Sequence, residues 1–146
     1  MRSTFISLYN PFKRAAVAGQ SSSMTGPRTV GLWRSALIAA AIILYAVALS
    51  NQAYEATSPG WLPWHVLLRK TYSIGAFALL GFLLNRSRLR GFESVWAGAV
   101  AIGLYSTAIE IGQYVEGVRE GLASNAFDVL CGVIGGALGA FVARII

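Results

Sequence analysis

Residues 94–115 run SVWAGAVAIGLYSTAIEIGQYV. The apolar body, Val95–Ile109, holds no charged side chain, and Glu110 and Gln113 stand in the last turns. Trp96 and Tyr114 lie near the two ends, where the interfacial aromatics of a membrane span belong. The stretch is long enough to cross a hydrocarbon layer of about 30 Å as a helix. An acid placed there is costly unless it has a partner or a task.

Three further apolar runs repeat the pattern. Val30–Leu49 is interrupted only by Arg34, whose long side chain can reach the headgroups. Thr71–Leu84 alone is too short to cross, at about 21 Å, so its helix is expected to begin near Pro63 and to contain Arg69 and Lys70. Ala126–Ala143 opens with Asp128 in its first turn, and Ser124 or Asn125 is placed to cap it. The expected spans are therefore about 30–49, 63–84, 94–115 and 126–143.

Composition agrees with a lipid-solvated fold. The chain of 146 residues is 55% apolar and only 12% charged, with a mean hydropathy of +0.59. Soluble domains carry about a quarter charged residues. The expected class is all-α, an integral membrane bundle of four transmembrane helices. Residues 1–29 are basic, Ser-rich and free of acids. They are expected to form a disordered cytoplasmic tail with at most a short surface helix over Phe5–Ala18, ahead of a membrane domain at 30–146. A transit peptide has a similar composition. A signal-peptide reading also competes at the first span, where Ala46-Val47-Ala48 has a cleavage-site pattern. The basic region before it is too long for a typical signal.

The net charge of +6 sets topology. With four spans, Arg2, Lys13, Arg14, Arg28, Arg34, Arg86, Arg88, Arg90 and Arg144 share one side, nine of the 12 basic residues. The positive-inside rule places that side, and both termini, in the cytoplasm of a multi-pass plasma (inner) membrane protein. The excess charge speaks for anionic lipid and against nucleic acid, because the basic residues flank apolar runs and do not interleave with aromatics.

The polar residues at the other ends form the candidate site. Glu110 and Gln113 share a helix face, extended by Thr107 and Tyr114. Asp128 follows a short loop, so the third and fourth helices should be antiparallel neighbours that bring Glu110 and Asp128 close. Arg119 in that loop and Lys70 on the second helix are the available cations. One reading is an outward-facing pocket for an amphiphile or lipid headgroup. Another is a structural network, with Glu110 paired to Lys70 or Arg119 and Asp128 stabilising the N-terminus of the fourth helix. A third is an acid/base pair of carboxylates. No cofactor or metal is expected: one histidine, His65, and one cysteine, Cys131, are far apart in sequence. His65 is expected at the interface beside Trp64, and Cys131 as a packing residue.

Small residues recur every fourth position in the last span. Gly132, Gly136 and Ala140 form one ridge, and Gly135, Gly139 and Ala143 a second. Such ridges let helix backbones approach closely, within the chain or between copies in a homo-oligomer.

In this order the polar residues resemble the VanZ-like family over roughly residues 60–140. Lys70 precedes Leu80-Gly81, Glu110-Ile111-Gly112-Gln113 matches a Glu-x-x-Gln, and Arg119 and Asp128 follow, with Gly132 and Gly136 behind. The chain departs from the pattern at Ser73, Arg69 and Cys131, where many members have His, Asp and Asn. The resemblance implies a membrane protein of the bacterial cell envelope. The family's namesake is associated with reduced susceptibility to the glycopeptide teicoplanin, an antibiotic-resistance trait, and the family has no settled reaction. The partners this implies are membrane lipids and an amphiphile or lipid-linked envelope precursor. Rival expectations are an intramembrane enzyme acting on a lipid or lipid-linked sugar, and an assembly partner working through Gly132 and Gly136.

Overall fold

In the computed structural model the described residues are 27–50, 52–53, 56, 64–117 and 122–146. They form four helices in sequence: α1 (Pro27–Ala48), α2 (His65–Arg86), α3 (Val95–Val115) and α4 (Leu122–Ile145). At 21–24 residues each, they extend about 32–36 Å. All four are long and apolar enough to cross a membrane. A helix closes its own backbone hydrogen bonds, which suits a run with no polar solvent to bond to.

The ends differ from expectation in places. α1 begins at Pro27, so residues 27–29 belong to a helix and not to the tail. Proline's fixed φ and missing N–H suit a first helical position. α2 continues past 84 to Arg86; Pro63 lies outside the described residues. α4 begins at Leu122 and runs to Ile145. Ser124 and Asn125 are thus inside the helix and do not cap it. Asp128 is its seventh residue, beyond the first turn where the helix dipole is felt most. Ser94 does cap α3, its hydroxyl accepting the Ala97 N–H at 2.9 Å. α3 closes through Glu116, followed by Gly117 at φ +79°, a left-handed stop that favours glycine.

Arg34 and Ser87 meet at one end of the bundle, and Arg144 reaches the Glu93 carbonyl at the same end. Lys70 and Asp128 meet at the other. The four helices therefore run up, down, up and down. α4 packs most extensively on α2 and next on α3, whereas α1 lies mainly along α2.

The two glycine ridges divide between the two neighbours. Cβ atoms at Gly132 and Gly136 would stand 2.6 Å from the Ser106 Cβ and 2.7 Å from the Ile102 Cβ of α3. One at Gly135 would stand 2.7 Å from the Ile74 carbonyl oxygen of α2, and one at Gly139 would overlap the Ala78 carbonyl and lie 2.6 Å from the Phe82 nitrogen. Gly81 of α2 faces Gly136 so closely that its own Cβ would sit 2.8 Å from the Gly136 Cα. Backbone thus meets backbone across the α2–α4 seam, as small residues permit.

The buried core is Phe77, Leu80, Leu84, Ile102, Ile109 and Cys131. Many large apolar side chains point away from it: Ile38 is 61% exposed, Leu104 67% and Leu138 48%. No described residue of α1 is fully buried. A continuous apolar exterior of this kind is rare on a protein surrounded by water.

Candidate functional site

The site lies where α1 and α3 end and α2 and α4 begin. Lys70, in the second turn of α2, points across to α4. Its ammonium donates to Asp128 Oδ2 at 2.5 Å, and the two side chains are only 14% and 17% exposed. The Coulomb attraction of such a pair grows as water is excluded, and so does the cost of removing one partner. Lys70 therefore pairs with Asp128 and not with Glu110, as one of the expected networks had it. The Ser106 hydroxyl of α3 donates to the Asp128 backbone carbonyl at 3.0 Å, so three helices are tied together at this one residue.

A cavity of about 190 Å³ opens beside the pair, lined by Asp128, Glu110, Gln113, Arg69, Tyr72, Ser73 and Ser106 together with apolar side chains of α1, α2 and α3. Leu44, Val47 and Ala48 of α1, Ala76 and Phe77 of α2 and Ile109 of α3 make the apolar part of the lining. The lining is of mixed character: two carboxylates, a guanidinium, hydroxyls and an amide stand in one cavity with hydrocarbon from three helices.

Gln113 has a second engagement. Its Nε2 donates to the Ala48 carbonyl at 2.9 Å. The last carbonyls of a helix have no partner within it, so this amide satisfies the C-terminus of α1 and holds α1 against the cavity. Gly112 beside it allows the approach: a Cβ there would stand 2.7 Å from the Tyr45 hydroxyl.

Of the residues singled out in the sequence, Glu110, Gln113 and Asp128 line one cavity, and Lys70 holds Asp128 at its edge. Arg119 lies outside the described residues. Thr107 and Tyr114 do not join the cavity. With Glu110, Ile111 and Asn125 they line a shallow groove on the outer side of α3 and α4. Glu110 sits at the boundary and touches both. The face read from spacing is real but too wide, because a helix turns 100° per residue and Ser106, Gln113 and Thr107, Tyr114 fall on opposite flanks of Glu110. His65 opens α2 next to the exposed Trp64, and Cys131 is buried.

Arg69, Tyr72, Ser73 and Ser106 enter the site without having been assigned to it. Ser106 carries a usable signal, one helical turn before Glu110. Tyr72 and Ser73 follow Arg69 and Lys70 by one turn in the same way. The participation of α1 has no such signal, since Leu44, Val47 and Ala48 are apolar residues in an apolar run.

The Ser106 hydroxyl donates to a carbonyl, so no base takes its proton. Among the described residues no three His, Cys, Asp or Glu side chains gather as metal ligands do. No protein-family model, curated protein or solved structure matches the chain.

Proposed function

We propose that this chain is a multi-pass protein of the bacterial plasma membrane whose outward-facing cleft binds an amphiphile or a lipid-linked envelope component. The single observation that carries the reading is the mixed lining of the cavity. It brings Asp128, Glu110 and Arg69 together with apolar side chains at one end of four hydrocarbon-length helices. A ligand with a charged or hydroxylated head and a greasy body matches both kinds of lining. Ionisable groups in such a medium are functional candidates by default. The positive-inside distribution supports cytoplasmic termini and an outward cleft, because the arginines gather at the opposite end. The ordered Lys70, Glu110–Gln113 and Asp128 set is the basis for placing the protein with VanZ-like chains, and hence for an envelope role touching glycopeptide susceptibility.

The assembly reading loses its surface. Gly132, Gly136 and Gly139 are covered by α2 and α3 of the same chain, so that ridge is not free for a second protein or a second copy. Among the described residues the Ser106 hydroxyl is engaged with the Asp128 carbonyl, which gives the enzyme reading less support.

The test is susceptibility to teicoplanin and to detergent in cells carrying Glu110→Gln or Asp128→Asn at unchanged protein level. A shift toward the deletion phenotype is expected in both. Wild-type behaviour in both would sink the cleft. Turnover of a lipid-linked sugar by the purified protein, lost in the same variants, would favour the enzyme instead.

A further inference from the structure

At the end opposite the cleft, α1 and α3 begin and α2 and α4 finish. The described residues place Arg28, Arg34, Arg86, Arg88, Arg90 and Arg144 there, against Glu93 as the one acidic side chain. Among these residues no ion pair joins Glu93 to any of the arginines; its backbone carbonyl, not its carboxylate, accepts from Asn85 and Arg144.

Besides Arg144, two of the six are held in place, both at α1 and α2. Arg34 Nε of α1 donates to the Ser87 carbonyl at 3.2 Å. The Arg86 guanidinium of α2 lies 5.8 Å from the Trp33 ring centre and 5.7 Å from that of Phe82. Those rings meet edge to face at 5.9 Å and 80°. Arg34 thus bonds from α1 to the end of α2, and Arg86 reaches from α2 to a ring of α1, so both side chains lie on the α1–α2 seam. Arg86 Nε is buried there with no hydrogen-bond partner. Ring faces and a carbonyl oxygen position these cations but bring no full negative charge. Two like charges held on one seam beside apolar helices repel, and ordering two long side chains costs entropy. An anion at the seam would offset both.

We propose that the α1–α2 seam binds the phosphate of an anionic membrane phospholipid, with Arg34 and Arg86 as its two forks. Every described cation at this end is arginine and none is lysine, and the planar guanidinium matches phosphate with two parallel hydrogen bonds. The occupant is a lipid because the seam ends four hydrocarbon-length helices, at headgroup depth. The exposed Trp96 in the first turn of α3 marks the same depth. The site rests on the membrane reading but not on the ligand of the cleft.

The experiment uses the purified full chain in a nonionic detergent, titrated with phosphatidylglycerol or phosphatidylcholine while the thermal midpoint is followed. The expected result is a saturable rise with phosphatidylglycerol and at least tenfold weaker response to phosphatidylcholine. The pair Arg34→Gln with Arg86→Gln should weaken the phosphatidylglycerol response about tenfold. The charge-matched pair Arg88→Gln with Arg90→Gln should change it less than twofold. Equal response to both lipids, or equal weakening in both pairs, overturns the site and leaves only diffuse attraction. Should the first pair fail to fold, Arg34→Lys with Arg86→Lys replaces it, keeping charge and losing the planar forks. The same tenfold weakening is expected, and wild-type affinity in that variant also overturns the proposal. Both arginine pairs lie at the end opposite the cleft, so the difference between them reads the seam alone, and its failure leaves the cleft reading standing.

Discussion

α4 and α1 are both apolar helices of hydrocarbon length, yet the bundle holds them by different means. α4 is locked by shape: its glycines bring backbone against backbone on α2 and pack under Ser106 and Ile102 of α3. α1 has no fully buried residue. Leu37, Ala40, Ala41, Leu44 and Ala48 pack partly buried against the core, and side chains reaching backbone carbonyls add tethers: Tyr105 to Ala41 at 2.5 Å, Gln113 to Ala48 at 2.9 Å and Arg34 bonding to Ser87 at 3.2 Å. Close packing fails abruptly when a methyl group is added, whereas a polar tether can be cut for a modest cost. Cleft and seam both lie along α1, the helix whose attachments are replaceable one at a time.

The largest effect expected from this contrast is at Gly139. A leucine there would drive side-chain atoms into the Ala78 carbonyl and the Phe82 nitrogen. Gly139→Leu should cost at least about 3 kcal/mol, the upper end of overpacking, read as loss of folded protein in a denaturing-detergent titration. Near-normal stability would mean that the seam is softer than its distances say.

Asp128→Asn comes next. It leaves the Lys70 ammonium without its counter-charge, at an expected cost of about 3 kcal/mol. Replacing both partners with apolar residues, Lys70→Met with Asp128→Leu, should recover more than half of that loss in the same titration. If the double variant is as unstable as the single one, the pair is not the unit that joins α2 to α4.

The tethers of α1 should be cheaper. Gln113→Leu removes the donor to the Ala48 carbonyl and should cost about 1 kcal/mol. Tyr105→Phe cuts the bond to Ala41 and should cost about 0.6 kcal/mol, the average for hydrogen bonds between membrane helices. Either of them matching Gly139→Leu would erase the distinction between the two helices.

Several features were legible without coordinates because each is a local consequence of composition. Four runs of hydrocarbon length predict four helices, and short loops predict antiparallel neighbours. The four-residue repeat of Gly132, Gly136 and Gly135, Gly139 predicts close helix contact. What spacing could not resolve was which of two flanks beside Glu110 faces inward. Thr107 and Ser106 are adjacent in sequence, and only Ser106 meets Asp128. The early start of α4 was hidden as well, since Ser124 and Asn125 look like caps and stand inside the helix instead.

The amino-acid sequence by itself settles that the chain is helical with an apolar exterior, because long uncharged runs must satisfy their backbone hydrogen bonds internally. It also settles that the few charges stand near helix ends. Tertiary structure alone decides that Lys70 takes Asp128, that Gln113 secures α1, and that Arg86 rests beside both the Trp33 and Phe82 rings. Those pairings depend on how far each helix is rotated about its axis. That rotation is set by which glycine meets which backbone across the α2–α4 seam, a fit between distant parts of the chain.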